Sequence, residues 1–247
     1  MSSSSDLNHL PIRVVLVGTS HPGNIGAVAR AMKTMHLTDL RLVTPRMFPH
    51  AESTAMASGA DDVLADARVC DTLEEAVADC GLVLGASARL RSLRWPQMDP
   101  RESAAKTLFE AREHPVALVF GRERTGLTND ELARCHALVC IPSNPDYGSL
   151  NLAMSVQVLC YELIMSSRNP AEEPAQEVRE RATNEEMDYF YTHLERVMIN
   201  TGFLDPAAPR RLMSRLRRLF GRARPDHQEV NILRGILAAV ENYGDKR

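Results

Sequence analysis

Five short apolar runs, separated by stretches of helical spacing, limit this chain to very few architectures. They are Ile12 to Thr19, Leu40 to Thr44, Gly81 to Ala86, Val116 to Phe120 and Ala137 to Ile141. Each is too short for a helix and almost wholly apolar, which is the pattern of a strand buried on both faces. Between them lie helical patterns. Asn24 to His36 places Ile25, Val28, Ala29 and Met32 on one side, and Ala51 to Gly59 is a short helix stopping on glycine. Thr72-Leu-Glu-Glu75 and Thr128-Asn-Asp-Glu131 have the spacing of capping boxes that open helices. Strands alternating with helices predict an α/β domain with a largely parallel sheet, over residues 10–168.

The chain changes character at its ends. Residues 1–9 are Ser-rich and polar and read as a disordered leader, with no signal-peptide pattern. Residues 169–181 are acidic, contain two prolines, and read as a linker. Residues 182–247 carry only helical periodicity. One stripe is Met187, Phe190, Tyr191, Leu194, Val197 and Met198; a second is Leu212, Leu216, Leu219 and Phe220; a third is Val230, Leu233, Leu237 and Val240. Three helices make a small core, so this extension is expected to pack on the first domain or on a partner subunit.

Composition excludes several classes. Twenty-nine basic against 32 acidic side chains leave a net charge of −3, so the protein is not basic overall. No apolar run is long enough for a membrane span. The five cysteines form no CxxC pair and the eight histidines lack ligand spacing, so buried free thiols, a reducing cytoplasmic setting and no metal are expected. Charge is nevertheless concentrated in one place. From Arg210 to Arg224 there are seven arginines and no acid. Arg211, Arg215, Arg218 and Arg222 share a helical face opposite the leucine stripe. Such a face repels itself and suits a polyanion, so RNA or DNA binding is favoured over a merely solvated surface.

The last strand runs into Ile141-Pro-Ser-Asn-Pro-Asp-Tyr-Gly-Ser-Leu-Asn151, loop chemistry followed by helical spacing at Leu150, Met154, Val158 and Tyr161. A helix whose first turn carries Ser149 and Asn151 would present free N–H groups to a polar ligand. Alone, this is an ordinary strand-to-helix connection with a Ser cap. Gly121-x-Glu123-x-x-Gly126 past another strand, and Asn24-Ile-Gly-Ala-Val-Ala-Arg30 in the first helix, are equally weak alone. No GxGxxG follows the first strand, which excludes a Rossmann-type nucleotide enzyme.

Taken together, Asn24 to Arg30, Phe120-Gly-Arg-Glu-Arg-Thr-Gly-Leu127 and Ile141-Pro-x₆-Ser149-Leu-Asn151 resemble the three motifs of the SpoU/TrmH branch of the SPOUT methyltransferases, in order and separation. The entry Thr19-Ser-His-Pro-Gly-Asn24, the segment Ser92-Leu-Arg-Trp-Pro96 and the arginine-rich tail are closer still to the tRNA (cytidine/uridine-2′-O)-methyltransferases of that branch. The resemblance implies a trefoil knot at the end of the catalytic domain, a homodimer, and S-adenosyl-L-methionine held by three loops. Those loops are Ala86, Ser87 and Ala88; Gly121, Glu123 and Gly126; and Ile141, Gly148, Ser149 and Leu150.

It further implies transfer of a methyl group to a ribose 2′-hydroxyl at nucleotide 32 of the tRNA anticodon loop, with ribosomal RNA, another tRNA position or a non-catalytic RNA-binding protein as alternatives. Arg30, Ser149 and Asn151 take the catalytic positions. Arginine is a poor base, since its side chain holds its proton to above pH ~12. Arg30 is therefore expected to anchor the target phosphate and polarise the hydroxyl, with Glu123 structural. RNA contacts are expected from Asn24, Arg30, Arg89, Arg122 and Arg124, and in the tail from Arg211, Arg215, Arg218 and Arg222. The sequence departs from the branch at Pro145 and Gly148, where it usually has glycine and a carboxylate.

Overall fold

The computed structural model describes residues 7, 9–87, 95–144, 146, 148–168, 181–208 and 211–244. Ala88, Arg89, Ser92 to Arg94, Pro145, the linker over 169–180, Arg210 and most of the leader lie outside the described residues. The chain forms two compact units, 1–176 and 177–247.

The first unit is built on β1 (Ile12–Val17), α1 (Pro22–Thr34), β2 (Asp39–Val43), α2 (Ala51–Ala57), α3 (Asp61–Ala65), β3 (Arg68–Cys70), α4 (Leu73–Val77), β4 (Leu82–Ala86), β5 (Gln97–Met98), α5 (Pro100–Glu110), β6 (Val116–Phe120), α6 (Asn129–Leu132), β7 (Ala137–Val139) and α7 (Leu152–Arg168). The strands form one sheet in the order β3-β2-β1-β6-β4-β7-β5, every pairing among them parallel. Val14 of β1 lies level with Leu40 of β2 and Leu118 of β6, which sets the register at the centre.

Alternation along each strand divides the core in two. Val14 and Leu16 face α1, α2, α5 and α7, in a layer with Ile25, Met32, Leu118 and Leu159. Val15 and Val17 face the opposite layer, with Ala76, Val83, Val119 and Leu132 of α4, β4, β6 and α6. Burial on both sides is why the strands read as continuous apolar runs instead of alternating ones. The small residues of α1 have a reason too. A Cβ on Gly26 would lie 2.0 Å from the Ser53 carbonyl oxygen, so the backbones of α1 and α2 meet there, and Ser53 Oγ donates to the Pro22 carbonyl at 2.9 Å.

Several expectations need correction. Leu7 is buried at 1% exposure and packs in the first core layer, so part of the supposed leader belongs to the fold. Helix α2 is capped by Ser58 in the left-handed region, one residue before the expected glycine. At α4 only half of the capping box forms as expected: Thr72 Oγ1 accepts from the Glu75 N–H, but Glu75 accepts from Asp71. The final helix of this unit starts at Leu152, not Ser149, because the Asn151 side chain takes the N–H groups of Ala153 and Met154 at 2.9 and 3.4 Å. Its buried face is Leu152, Val156, Leu159, Cys160 and Leu163, whereas Met154 and Tyr161 are exposed.

The second unit comprises α8 (Asn184–Asn200), α9 (Leu212–Ala223) and α10 (His227–Gly244). Phe190, Tyr191, Val197, Val230 and Leu237 are its buried centre, and the Phe220 ring stands edge-on to Phe190 at 4.8 Å. The expected stripe of α9 is only partly its inner face. No residue of α9 is fully buried; Phe220 of the stripe docks together with Met213, Leu212 and Leu216 are half-buried, and Leu219 is 48% exposed. Val240 of the third stripe is likewise exposed.

Candidate active site

At the carboxyl ends of β4, β6 and β7 the first unit encloses a cavity of about 320 Å³, within the range of small-ligand pockets. Ala86 and Ser87 form one wall, Phe120 and the loop Gly121 to Gly126 a second, and Val139, Ile141, Gly148, Ser149 and Leu150 a third. Leu152 and Ser155 of α7 complete it. Every described residue expected at a cofactor is thus on one surface. Ser87 N–H donates to the Val139 carbonyl at 3.0 Å, fixing the first wall to the third. Gly121 cannot be replaced without distortion, since its Cβ would lie 2.2 Å from the carbonyl carbon of Gly126. The loop folds back on itself there, with Gly126 N–H donating to the Arg122 carbonyl at 2.8 Å.

A chain of polar groups joins this loop to the other two motif segments. The Glu123 carboxylate accepts from the backbone N–H groups of Ser20 and His21, each at 3.2 Å, and from Ser20 Oγ and Asn24 Nδ2, each at 2.9 Å. Partial burial would raise its pKa, but bonds from Asn24 and Ser20 outweigh that and hold it at about 2. Asn24 Oδ1 in turn accepts from Asn151 Nδ2 at 3.1 Å. Glu123 is therefore a fully ionised, fully occupied brace and a poor proton acceptor.

The arginines divide into engaged and free. Arg122 pairs with Glu131 at 3.0 Å, and Glu131 also caps α6, so this guanidinium is tied into the scaffold. Arg124 is exposed on the cavity loop. Arg30 is exposed on α1, about 9 Å along the axis from Asn24, and is not among the residues lining the cavity. Its guanidinium makes no bond among the described residues. In the second unit Arg217 pairs with Asp188 at 2.8 Å and lies 4.3 Å from the Tyr191 ring centre. Arg211, Arg215, Arg218 and Arg222 make no ion pair among the described residues, and three of them are exposed, Arg218 half-buried.

Phe120, Thr125, Val139, Leu152 and Ser155 also line the cavity and were not singled out from the sequence. Phe120 could have been found as the last residue of its apolar run, and Val139 as a member of the run Ala137 to Ile141. Ser155 could have been found one helical turn beyond Asn151. All five cysteines are free, and burial pushes the Cys80, Cys135 and Cys160 thiols up to about 12, which leaves them inert. No group of three metal-binding side chains occurs among the described residues.

Comparison with known proteins agrees with this geometry. Residues 11–161 match the SpoU rRNA Methylase family, and residues 185–247 match the C-terminal domain of the tRNA methyltransferase TrmJ. The tRNA (cytidine/uridine-2′-O-)-methyltransferase TrmJ of Cronobacter sakazakii is 54% identical over 242 residues, covering 96% of this chain and 98% of that protein. The protein of the same name from Salmonella choleraesuis is 55% identical over 238 residues, 93% of this chain and 96% of its own. In three dimensions the crystal structure of TrmJ from Z. mobilis ZM4 superposes with a TM-score of 0.83 at 35% identity, over 93% of this chain and 98% of that one. A catalytic unit carrying the three linked segments, followed by the matching tail, places this chain in the SpoU methylase family, on its TrmJ branch.

Proposed function

We propose that this protein transfers a methyl group from S-adenosyl-L-methionine to the ribose 2′-hydroxyl of a cytidine or uridine in tRNA, at nucleotide 32 of the anticodon loop. One observation carries the reading: the three motif segments meet through Glu123, Asn24 and Asn151 beside a cavity whose walls suit the cofactor. Gly121 lets the second loop fold back tightly on Gly126, the apolar ends Val139, Ile141 and Leu150 suit a flat base and ribose, and loop backbone groups at Ala86, Ser87 and Gly148 can bond its polar edge. When bound, S-adenosylmethionine supplies the methyl of its sulfonium, becoming a neutral thioether as the ribose oxygen bonds the carbon and releases its proton. The protein's share is to align and to hold charge.

Arg30 anchors the phosphate next to the target ribose, and Ser149 and Asn151 orient the hydroxyl. Because Arg30 is not among the cavity-lining residues of its own chain, the complete site is read as shared between two subunits of a homodimer. The exposed Met154 and Tyr161 of α7 offer an apolar surface for that pairing. The insertion of β7 between β4 and the edge strand β5 is consistent with a knotted carboxyl end. The unpaired arginines of α9 hold the tRNA body through its phosphates. The family's description names ribosomal RNA, which makes an rRNA target the second reading; the tail match favours tRNA.

The test is Arg30→Ala, assayed for methyl transfer to unmodified tRNA and for cofactor binding by calorimetry. Transfer lost by more than about 100-fold with cofactor affinity unchanged is the expected result. Parallel loss of both would make Arg30 a structural or cofactor residue.

A further inference from the structure

The link from Glu123 to α7 has a direction. An ionised carboxylate only accepts hydrogen bonds, so Asn24 must turn its amide nitrogen to Glu123, as it does at 2.9 Å. That leaves Asn24 Oδ1 facing Asn151, which must answer with its own nitrogen, at 3.1 Å. The Asn151 oxygen is then the atom that meets the Ala153 and Met154 N–H groups, which only donate. An acceptor-only group stands at one end and donor-only groups at the other. Neither amide can flip without setting donor against donor or acceptor against acceptor. Each amide nitrogen keeps a second N–H with no partner among the described residues.

We propose that Asn24 is a positioning residue that carries the polarity set by Glu123 to Asn151, so that both asparagines offer N–H groups, and not carbonyl oxygens, to the RNA. This rests on the methylation reading above. It implies that the two side chains together hold a ribose or phosphate oxygen of the substrate. It also implies that neither takes the 2′-hydroxyl proton, because both carbonyl oxygens already accept bonds from the protein. Asn24 thereby differs from a simple RNA contact: its effect on the reaction passes through Asn151.

A double-mutant cycle in the full-length protein tests this, with Glu123→Gln as the control. The Ser20 and His21 N–H groups and Asn24 Nδ2 all reach Glu123 Oε1, so a glutamine oxygen there keeps every bond while its nitrogen donates to Ser20 Oγ. Asn24→Ala removes the link to Asn151. If Asn24 acts through Asn151, Asn24→Ala lowers kcat about 10- to 100-fold in the wild-type background and has little further effect beside Asn151→Ala. Glu123→Gln should stay within about 3-fold of the wild-type kcat, and the cofactor Kd within about 3-fold throughout.

Losses that add in the Asn24→Ala/Asn151→Ala double variant, with kcat and thermal stability falling in parallel, would overturn the proposal in favour of a structural hub. Wild-type kcat in every variant would overturn it as well. If the wild-type protein methylated no RNA, the methylation reading would fall separately. The cycle would then be read on hydrogen exchange of the Ala153 and Met154 amides. Protection lowered by Asn24→Ala and kept in Glu123→Gln supports the relay; unchanged protection contradicts it.

Discussion

At Glu123 the chemistry of a single side chain decides between two roles. Its carboxyl is held at about 2, so it is ionised throughout the working pH range and cannot serve as a base near neutrality. A carboxyl whose pKa is depressed by folding stabilises the fold above its unfolded value, near 4.5, and loses that contribution as pH falls toward 2. The urea midpoints of wild type and Glu123→Gln should therefore differ at pH 7 and converge below pH 4. A constant gap across that range would place the stabilising bonds elsewhere. Arg13 has a different task. Burial lowers its pKa, but Asp79 and Asp39 raise it further, and its guanidinium also donates to the Ala76 carbonyl at 3.0 Å. Arg13→Ala should cost about 2 kcal/mol in chemical denaturation, through that carbonyl and the lost packing of its stem. Its carboxylate partners, themselves partly in water, limit the loss.

Among the elements, α7 shows where sequence reading succeeds and where it stops. The end of β7, the loop and the following helix were all legible from Pro142, the loop residues and the helical spacing. The helix start was not, because Ser149 and Asn151 are both good caps, and only the bonds from Ala153 and Met154 to Asn151 choose between them. The inner face was missed for a related reason. Leu150, Met154, Val158 and Tyr161 are as regularly spaced as the residues that α7 buries, and periodicity alone does not say which stripe meets the sheet. The same ambiguity affects α9 in part: Phe220 of the expected stripe does face α8, with Met213 and Arg217, but Leu219 is exposed. The three site loops were found through motif resemblance. Their glycines alone permit many turns, and the distances that make Gly121 irreplaceable are long-range facts. Replacing Asn151 with alanine should cost about 1 kcal/mol through the lost cap, and should also lower methyl transfer because Asn24 loses its partner.

The whole molecule has a parallel-sheet unit, which carries the candidate site, and a small helical unit with a concentration of arginines. Those arginines are of two kinds. Arg217→Ala should lower the stability of the helical unit, because it breaks the Asp188 pair and the stack on Tyr191. Changing Arg211, Arg215, Arg218 and Arg222 together to glutamine should leave its stability nearly unchanged. It should weaken tRNA binding and flatten the salt dependence by up to about 3 in log–log slope, measured by filter binding between low and moderate salt. The central claim is tested most directly by incubating the protein with labelled S-adenosylmethionine and unmodified tRNA, then mapping the product nucleosides. The account predicts one 2′-O-methylated cytidine or uridine, at nucleotide 32. A methyl group on a base, or none on any tRNA while the cofactor binds, would contradict it.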